Sequence, residues 1–205
     1  MRYIYLKEID STQKYLLDLI KRNMVKIPVC VWSEKQTAGI GSKNNKWEGV
    51  RGNLFFSFAY EIDFFPKTPM ESYSLYFGWI FKKTLNSLGS KAIMKWPNDI
   101  YLIEEKPKKI GGVITNIRKN ALICGIGLNT KRNPSEEFGR LDIDAKNDKI
   151  LTAFFKELEK KPKFEDIIFS YKKEFEKTKK FFYEGAFLDD DGALIKNGKK
   201  VYSER

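Results

Sequence analysis

Ala92-Ile93-Met94-Lys95-Trp96-Pro97-Asn98-Asp99-Ile100-Tyr101-Leu102-Ile103-Glu104 is followed shortly by Lys109-Ile110-Gly111-Gly112-Val113. The two apolar runs on either side of Pro97-Asn98 predict two strands joined by a tight turn. Lys109 to Ile117 and Ala121 to Leu128 then predict an antiparallel pair closing near Lys119-Asn120. Four strands in succession, each separated only by turn residues, argue for an antiparallel sheet at the centre of the fold.

Working outward, Ile4 to Ile9 reads as a strand. Asp10-Ser11-Thr12 offers a cap for a helix running to about Asn23, with Leu16, Leu17, Leu19 and Ile20 as its apolar side. Val29 to Glu34 is a short buried strand, and Asn53 to Ile62 alternates as another. Lys35 to Gly52, with four glycines and little periodicity, predicts a loop, long enough to be a functional one. Glu71 to Leu88, Asn147 to Lys160 and Phe164 to Phe182 predict helices. Asp189-Asp190-Asp191-Gly192 and Asn197-Gly198 mark turns between short apolar runs at the C-terminus. The fold class is α+β: a mixed or antiparallel sheet with helices on one side. The chain divides into a main unit, residues 1–182, and a short C-terminal β segment, residues 183–205, expected as a hairpin.

The 205 residues include 16 Phe, 10 Tyr and 4 Trp, enough for a sizeable core, and no apolar run reaches the ~20 residues of a membrane span. Cys30 and Cys124 each lie in an apolar strand-like run, which suits reduced, buried thiols and a cytoplasmic setting. The chain has no His, which excludes Ser-His-Asp and Cys-His catalysis and the common zinc sites. The net charge of +11 comes from lysines spread along the chain among Asp and Glu. That pattern reads as solvated helix faces ahead of a nucleic-acid surface, while favouring attraction of phosphates and acidic proteins.

Lys95, Asp99 and Lys109 put two cations and a carboxylate beside a rigid turn and a glycine pair. A cation directly before Gly111-Gly112 sits where a ligand can approach backbone closely. Taken alone, Lys109 also reads as one solvated lysine of Lys106-Pro107-Lys108-Lys109, Asn98-Asp99 as an ordinary turn, and Ser11 as a plain helix cap.

Lys-Trp-Pro-Asn-Asp followed by Lys-Ile-Gly-Gly closely resembles the signature of the biotin protein ligases, in the catalysis-only form without the N-terminal DNA-binding module. Asp10-Ser11-Thr12-Gln13, Gln36, the glycine loop before Trp47, and Cys124-Gly125-Ile126-Gly127-Leu128-Asn129 follow in the order of that family. The resemblance implies a two-step reaction. ATP and biotin give biotinyl-adenylate with Mg²⁺, and the biotinyl group passes to a lysine of a biotin carboxyl carrier domain of acetyl-CoA carboxylase or a related carboxylase. It implies catalytic roles for Lys109, Asp99 and Lys95, with Asp99 also holding the metal. Biotin contacts fall to Ser11, Thr12, Gln13, Gln36, Gly39, Gly41, Lys109, Gly111 and Gly112. Nucleotide contacts fall to Lys43, Lys46, Trp47, Asn98 and Asn129. Gly39-Ile40-Gly41-Ser42-Lys43-Asn44-Asn45-Lys46-Trp47 departs from the family pattern because every arginine is missing, and lysine does not reproduce a bidentate guanidinium grip. Neither nucleic acid nor membrane is an expected partner, and the sequence leaves monomer and weak homodimer both open.

Three other readings stand beside this one. A lipoate or octanoate transferase shares the fold and the central lysine, though the arginine-rich lipoyl motif is missing. A basic nucleic-acid-binding module with stacking aromatics is opposed by the dispersal of the lysines. An inactive protein keeping the fold is favoured only by the lost loop arginines.

Overall fold

The computed structural model describes residues 1–42 and 45–203. Its centre is a seven-stranded sheet in the order β1-β2-β5-β9-β8-β7-β6, formed by β1 (Arg2–Leu6), β2 (Val29–Ser33), β5 (Leu54–Glu61), β6 (Ile93–Lys95), β7 (Asp99–Ile103), β8 (Pro107–Arg118) and β9 (Ala121–Leu128). Every neighbouring pair is antiparallel except β1 with β2, so the sheet is mixed.

The central strand β5 explains how the two faces are filled. Its period of two sends Phe56, Phe58 and Tyr60 into the large core and Ser57 and Ala59 to the opposite face. The large core is covered by α2 (Tyr73–Ser87), α3 (Asn147–Leu158) and α4 (Phe164–Thr178), with Phe56 meeting Phe154 edge-on at 5.5 Å and Phe58 meeting Phe77 at 5.3 Å. The expectation of helices on one side holds for these three. The fourth, α1 (Thr12–Lys21), lies on the other face, where Leu16 packs with Val29, Val31, Ala59, Ala121 and Ile123. Its short apolar stripe is satisfied by that small patch. The Ser11 hydroxyl caps it, accepting from Lys14 N at 3.4 Å, so the helix begins beside Ser57 rather than over the large core.

The glycine-rich stretch from Lys35 to Gly52 is not a plain loop but contains a hairpin, β3 (Gln36–Ile40) against β4 (Lys46–Gly49). A side chain at Gly39 would meet Trp47 O at 2.7 Å, and one at Gly49 would overlap the Gln36 backbone, so the glycines serve close pairing. The tail is a three-stranded sheet rather than a bare hairpin: β10 (Phe187–Leu188), β11 (Leu194–Lys196) and β12 (Lys199–Val201). Among the described residues no helix is long and apolar enough to cross a membrane.

The small sheet is fastened to the signature turn. Trp96 is almost wholly buried, and its Nε1 donates to Gly192 O at 2.8 Å while its own carbonyl accepts from the Tyr183 hydroxyl at 2.8 Å. Ser72 Oγ donates to Asp191 O at 2.5 Å from the start of α2. Trp96 is therefore a structural anchor of the turn that carries Asn98 and Asp99.

Candidate active site

A cleft of about 420 Å³ opens where α1, the β3–β4 hairpin, the 96–99 turn and the glycine-bearing parts of β8 and β9 meet. Its inner end is polar and buried. Thr12 N and Oγ1 both donate to Gln36 Oε1, at 2.8 and 3.1 Å, and Thr12 Oγ1 lies 2.9 Å from Ser57 Oγ. Gln13 Nε2 donates to Asn116 Oδ1 at 3.0 Å, which leaves Gln13 Oε1 buried with no hydrogen-bond partner among the described residues. Trp47 Nε1 is the other such atom. A buried acceptor and a buried donor lacking partners in a protein cleft each cost roughly 1–3 kcal/mol unless a ligand or water satisfies them.

The glycines of β8 and β9 leave room on the floor. A side chain at Gly125 would press on Gln13 Oε1 at 2.5 Å, and one at Gly127 would strike the Trp47 ring at 2.7 Å. At Gly112 it would come within 3.1 Å of Asp99 Oδ1 and 3.4 Å of Trp47. The Trp47 ring therefore lies directly on glycine backbone.

Lys109 and Asp99 stand at the outer end of the cleft, paired at 2.6 Å, with the Lys109 ammonium 5.5 Å from the centre of the Trp47 ring. Their meeting depends on a β-bulge. Asp99 pairs with Gly112 and Ile100 with Gly111, but Tyr101 pairs with Lys109, leaving Ile110 as the extra residue. In a regular strand Lys109, three positions from Gly112, would face the opposite side of the sheet. The bulge turns it to the same side. The displaced backbone is satisfied locally: Ile110 O accepts from Asn129 N at 2.8 Å, and Lys109 O accepts from Gly139 N at 2.9 Å.

Ser11, Thr12, Gln13, Gln36, Gly41, Trp47, Asn98, Asp99, Lys109 and Gly112 all line this one cleft. Asn98 Nδ2 donates to Val113 O at 2.6 Å, locking the turn to β8. The remaining expected site residues fall elsewhere. Lys95 lies off the cleft lining, its ammonium 5.5 to 5.7 Å from the rings of Tyr101, Phe182 and Tyr183. Gly111 and Gly39 serve strand contacts, a Gly111 side chain being blocked by Gly127 O at 2.9 Å. Lys46 is exposed on β4, away from the lining. Lys43 lies outside the described residues.

Asn129 is fully buried and its amide is spent within the protein: Nδ2 donates to Gly139 O at 3.0 Å and Oδ1 accepts from Asn53 Nδ2 at 3.3 Å. Besides clasping the bulge through its backbone, it holds the Gly139 segment beside Lys109. It is not among the residues that line the cleft. Gly125 and Gly127, quoted above as part of a motif, line the cleft, while Ser57 in the lining and Asn116 against Gln13 are the residues that the sequence does not single out. Ser57 had a signal, a lone hydroxyl among Phe55, Phe56 and Phe58. Asn116 had none, because only the fold sets it against Gln13.

The model of the biotin/lipoate A/B protein ligase family matches residues 5–132, which span the inner cleft, the hairpin and the Lys109–Asp99 pair. The chain belongs to that family. Among its relatives, the bifunctional ligase/repressor BirA of Salmonella typhimurium is 32% identical over 136 residues, covering 63% of this chain and 41% of that protein. Biotin–protein ligase 2 of Arabidopsis thaliana is 32% identical over 162 residues, covering 69% and 48%. The chain thus spans less than half the length of these curated relatives. Among solved structures, a biotin acetyl coenzyme A carboxylase synthetase from Helicobacter pylori, with bound biotinylated ATP, superposes with a TM-score of 0.90 at 36% identity, over 97% of this chain and 98% of that one. In this member of the biotin/lipoate A/B protein ligase family the signature lysine and aspartate face each other, while the signature tryptophan is turned into the core.

Proposed function

We propose that this chain is an ATP-dependent biotin protein ligase. The observation that supports it best is one cleft with a buried acceptor, Gln13 Oε1, that has no partner among the described residues at its inner end, and the Lys109 ammonium at its outer end. Biotin's ureido ring carries N–H donors for such an acceptor, and its valeryl chain ends in a carboxylate suited to the lysine. The dithiolane of lipoate has no N–H to offer Gln13.

In the first step a carboxylate oxygen of biotin attacks the α-phosphorus of ATP, and the bond to the bridging oxygen breaks as pyrophosphate leaves. Lys109 lies where it neutralises both the attacking carboxylate and the phosphorane-like oxygens, which is the main service an enzyme gives this chemistry. Trp47, resting on Gly127 and Gly112, covers the reacting end from water. In the second step an acceptor lysine attacks the acyl carbon, the anhydride C–O bond breaks and AMP departs. Asp99, beside Lys109, orients the incoming amine.

Magnesium fits this site in one way. Among the described residues no cluster of three metal-ligating side chains exists, and Asp99 is the carboxylate of the inner cleft. Mg²⁺ is commonly held by one or two carboxylates together with substrate phosphates and water. Asp99 would be its protein ligand, and the ion would supply further neutralisation of phosphate charge. The acceptor on this reading is a biotin carboxyl carrier domain.

The test is intact-mass spectrometry of an apo carrier domain incubated with the protein, ATP, Mg²⁺ and biotin, with parallel reactions offering lipoate or octanoate and a lipoyl domain. A single biotinyl increment is expected. Silence with biotin and an increment with lipoate would refute the reading.

A further inference from the structure

The inner cleft is closed at its far end by Thr12, Gln36 and Ser57, all buried, so a second substrate reaches Lys109 and Asp99 only from outside. Outside lies a larger cleft of about 1430 Å³ that shares Asn98, Asp99 and Lys109 with the inner one. Its two walls differ. One is the turn end of the β3–β4 hairpin, where Ile40 to Ser42 and Asn45 carry no carboxylate and lead to the exposed Lys46. The other is built from Glu71 in the short turn before α2, Ser74 in its first turn, Trp96-Pro97, and Tyr202-Ser203.

Glu71 is exposed and makes no ion pair among the described residues, whereas Asp99 is already paired with Lys109. A lone carboxylate on this wall repels a polyphosphate and attracts an ammonium. The hairpin wall has the opposite preference. Around the carboxylate the surface suits a long aliphatic stem: Pro97 and the half-buried Tyr202 form its sides, and Met70, next to Glu71, is 62% exposed. The wall is also firmly held. Tyr202 donates to Asp191 Oδ2 at 2.5 Å, and the Asp191 and Gly192 carbonyls take Ser72 Oγ and Trp96 Nε1.

Building on the ligase reading above, we propose that the Glu71–Tyr202 wall is the entry path of the acceptor, guiding a lysine side chain from an exposed turn of a protein toward the acyl-adenylate, with Glu71 receiving its ammonium. The ammonium loses one proton to solvent to expose its lone pair. The C–N bond then forms as the C–O bond to AMP breaks, its electron pair leaving on the AMP phosphate, and the nitrogen gives its second surplus proton to solvent. The nucleotide takes the hairpin side, so the two substrates approach Lys109 from opposite walls.

The experiment separates the half-reactions in the full-length protein. Adenylate formation is followed by trapping with hydroxylamine, and transfer by the KM and kcat for an apo biotin carboxyl carrier domain. Glu71→Gln should raise the acceptor KM about threefold and Glu71→Lys about tenfold, with kcat unchanged and the effect shrinking as salt is added. Hydroxamate yield should stay at the wild-type level in both. An unchanged KM in Glu71→Lys with normal hydroxamate would overturn the entry path while leaving the ligase reading intact. A lowered hydroxamate yield would assign Glu71 to the nucleotide side and overturn it equally. Absence of hydroxamate from the wild-type protein would instead sink the ligase reading.

Discussion

A single methyl group at Gly125 tests the inner end of the cleft. In Gly125→Ala the new carbon would lie 2.5 Å from Gln13 Oε1, where ordinary contact begins near 3.4 Å, a shortfall of about 0.9 Å. Ile114 Cγ1 at 3.2 Å blocks easy escape on the other side, so the Gln13 amide has to withdraw. Withdrawal by that amount takes its 3.0 Å bond to Asn116 out of hydrogen-bonding range and turns the partnerless carbonyl away from the ligand. A buried ligand N–H left unpaired costs roughly 1–3 kcal/mol, so a central value of about 2 kcal/mol weakens biotin binding about 30-fold. Titration calorimetry with biotin measures this directly, and a melting curve reports whether the fold survives. Gly111→Ala is the matched control. Its methyl group strikes Gly127 O and Leu128 between strands, so it should lower the melting temperature more than it weakens binding. A biotin Kd for Gly125→Ala within threefold of wild type, in a protein that melts normally, would refute the placement of Gln13 at the ligand.

Lys109→Ala should slow adenylate formation about 100-fold: a cation ~3 Å from an oxygen gaining about half a charge, at an effective dielectric near 20, contributes about 2.8 kcal/mol. Biotin-dependent pyrophosphate release checks it, and a loss under fivefold would remove Lys109 from that role. Trp96→Phe deletes the donor to Gly192 O and leaves a buried carbonyl unpaired, so the melting temperature should fall by about 5 °C, with faster hydrogen exchange in β10 to β12. An unaltered melt would mean the small sheet is held without that bond. Stability should also erode in alkali. Burial pushes the Tyr60 hydroxyl from 10.0 up to about 12, and burial raises Tyr73, Tyr76 and Tyr171 as well. Because the folded values exceed the unfolded ones, this stability is complete below pH 10 and is lost as pH climbs toward about 12. Urea midpoints from pH 8 to 11.5 that stay level would contradict it.

The period-two strands and the helical stripes are legible from local spacing, which is why β5 to β9 and α2 to α4 stand close to where the sequence suggests. Residues sharing a motif are harder to read, because even partners on one face of a sheet, as Lys95 and Asp99 are, need not share surroundings. Lys95 and Asp99 sit four apart around one turn, yet the lysine's surroundings are set by Phe182 and Tyr183, some ninety positions away. Trp96 is drawn inward by Gly192, a partner no local pattern reveals. The bulge at Ile110 is equally invisible, because it exists only where Asn129 and Gly139 can take up the displaced backbone. Asn129 marks the limit most clearly: the motif brings it to the strand end, but its amide partners, Asn53 and Gly139, are set by the fold and not by local sequence.

Lys109 and Asp99 rest against each other at 2.6 Å. An entering carboxylate therefore exchanges one anionic neighbour of the lysine for another instead of meeting a bare charge. Its affinity reflects a difference between two nearly equal attractions, so the cleft discriminates among acids chiefly by what their other ends offer Gln13 and Gln36. On the ligase reading, a substrate carboxylate seated on Lys109 would free Asp99 for its next partner.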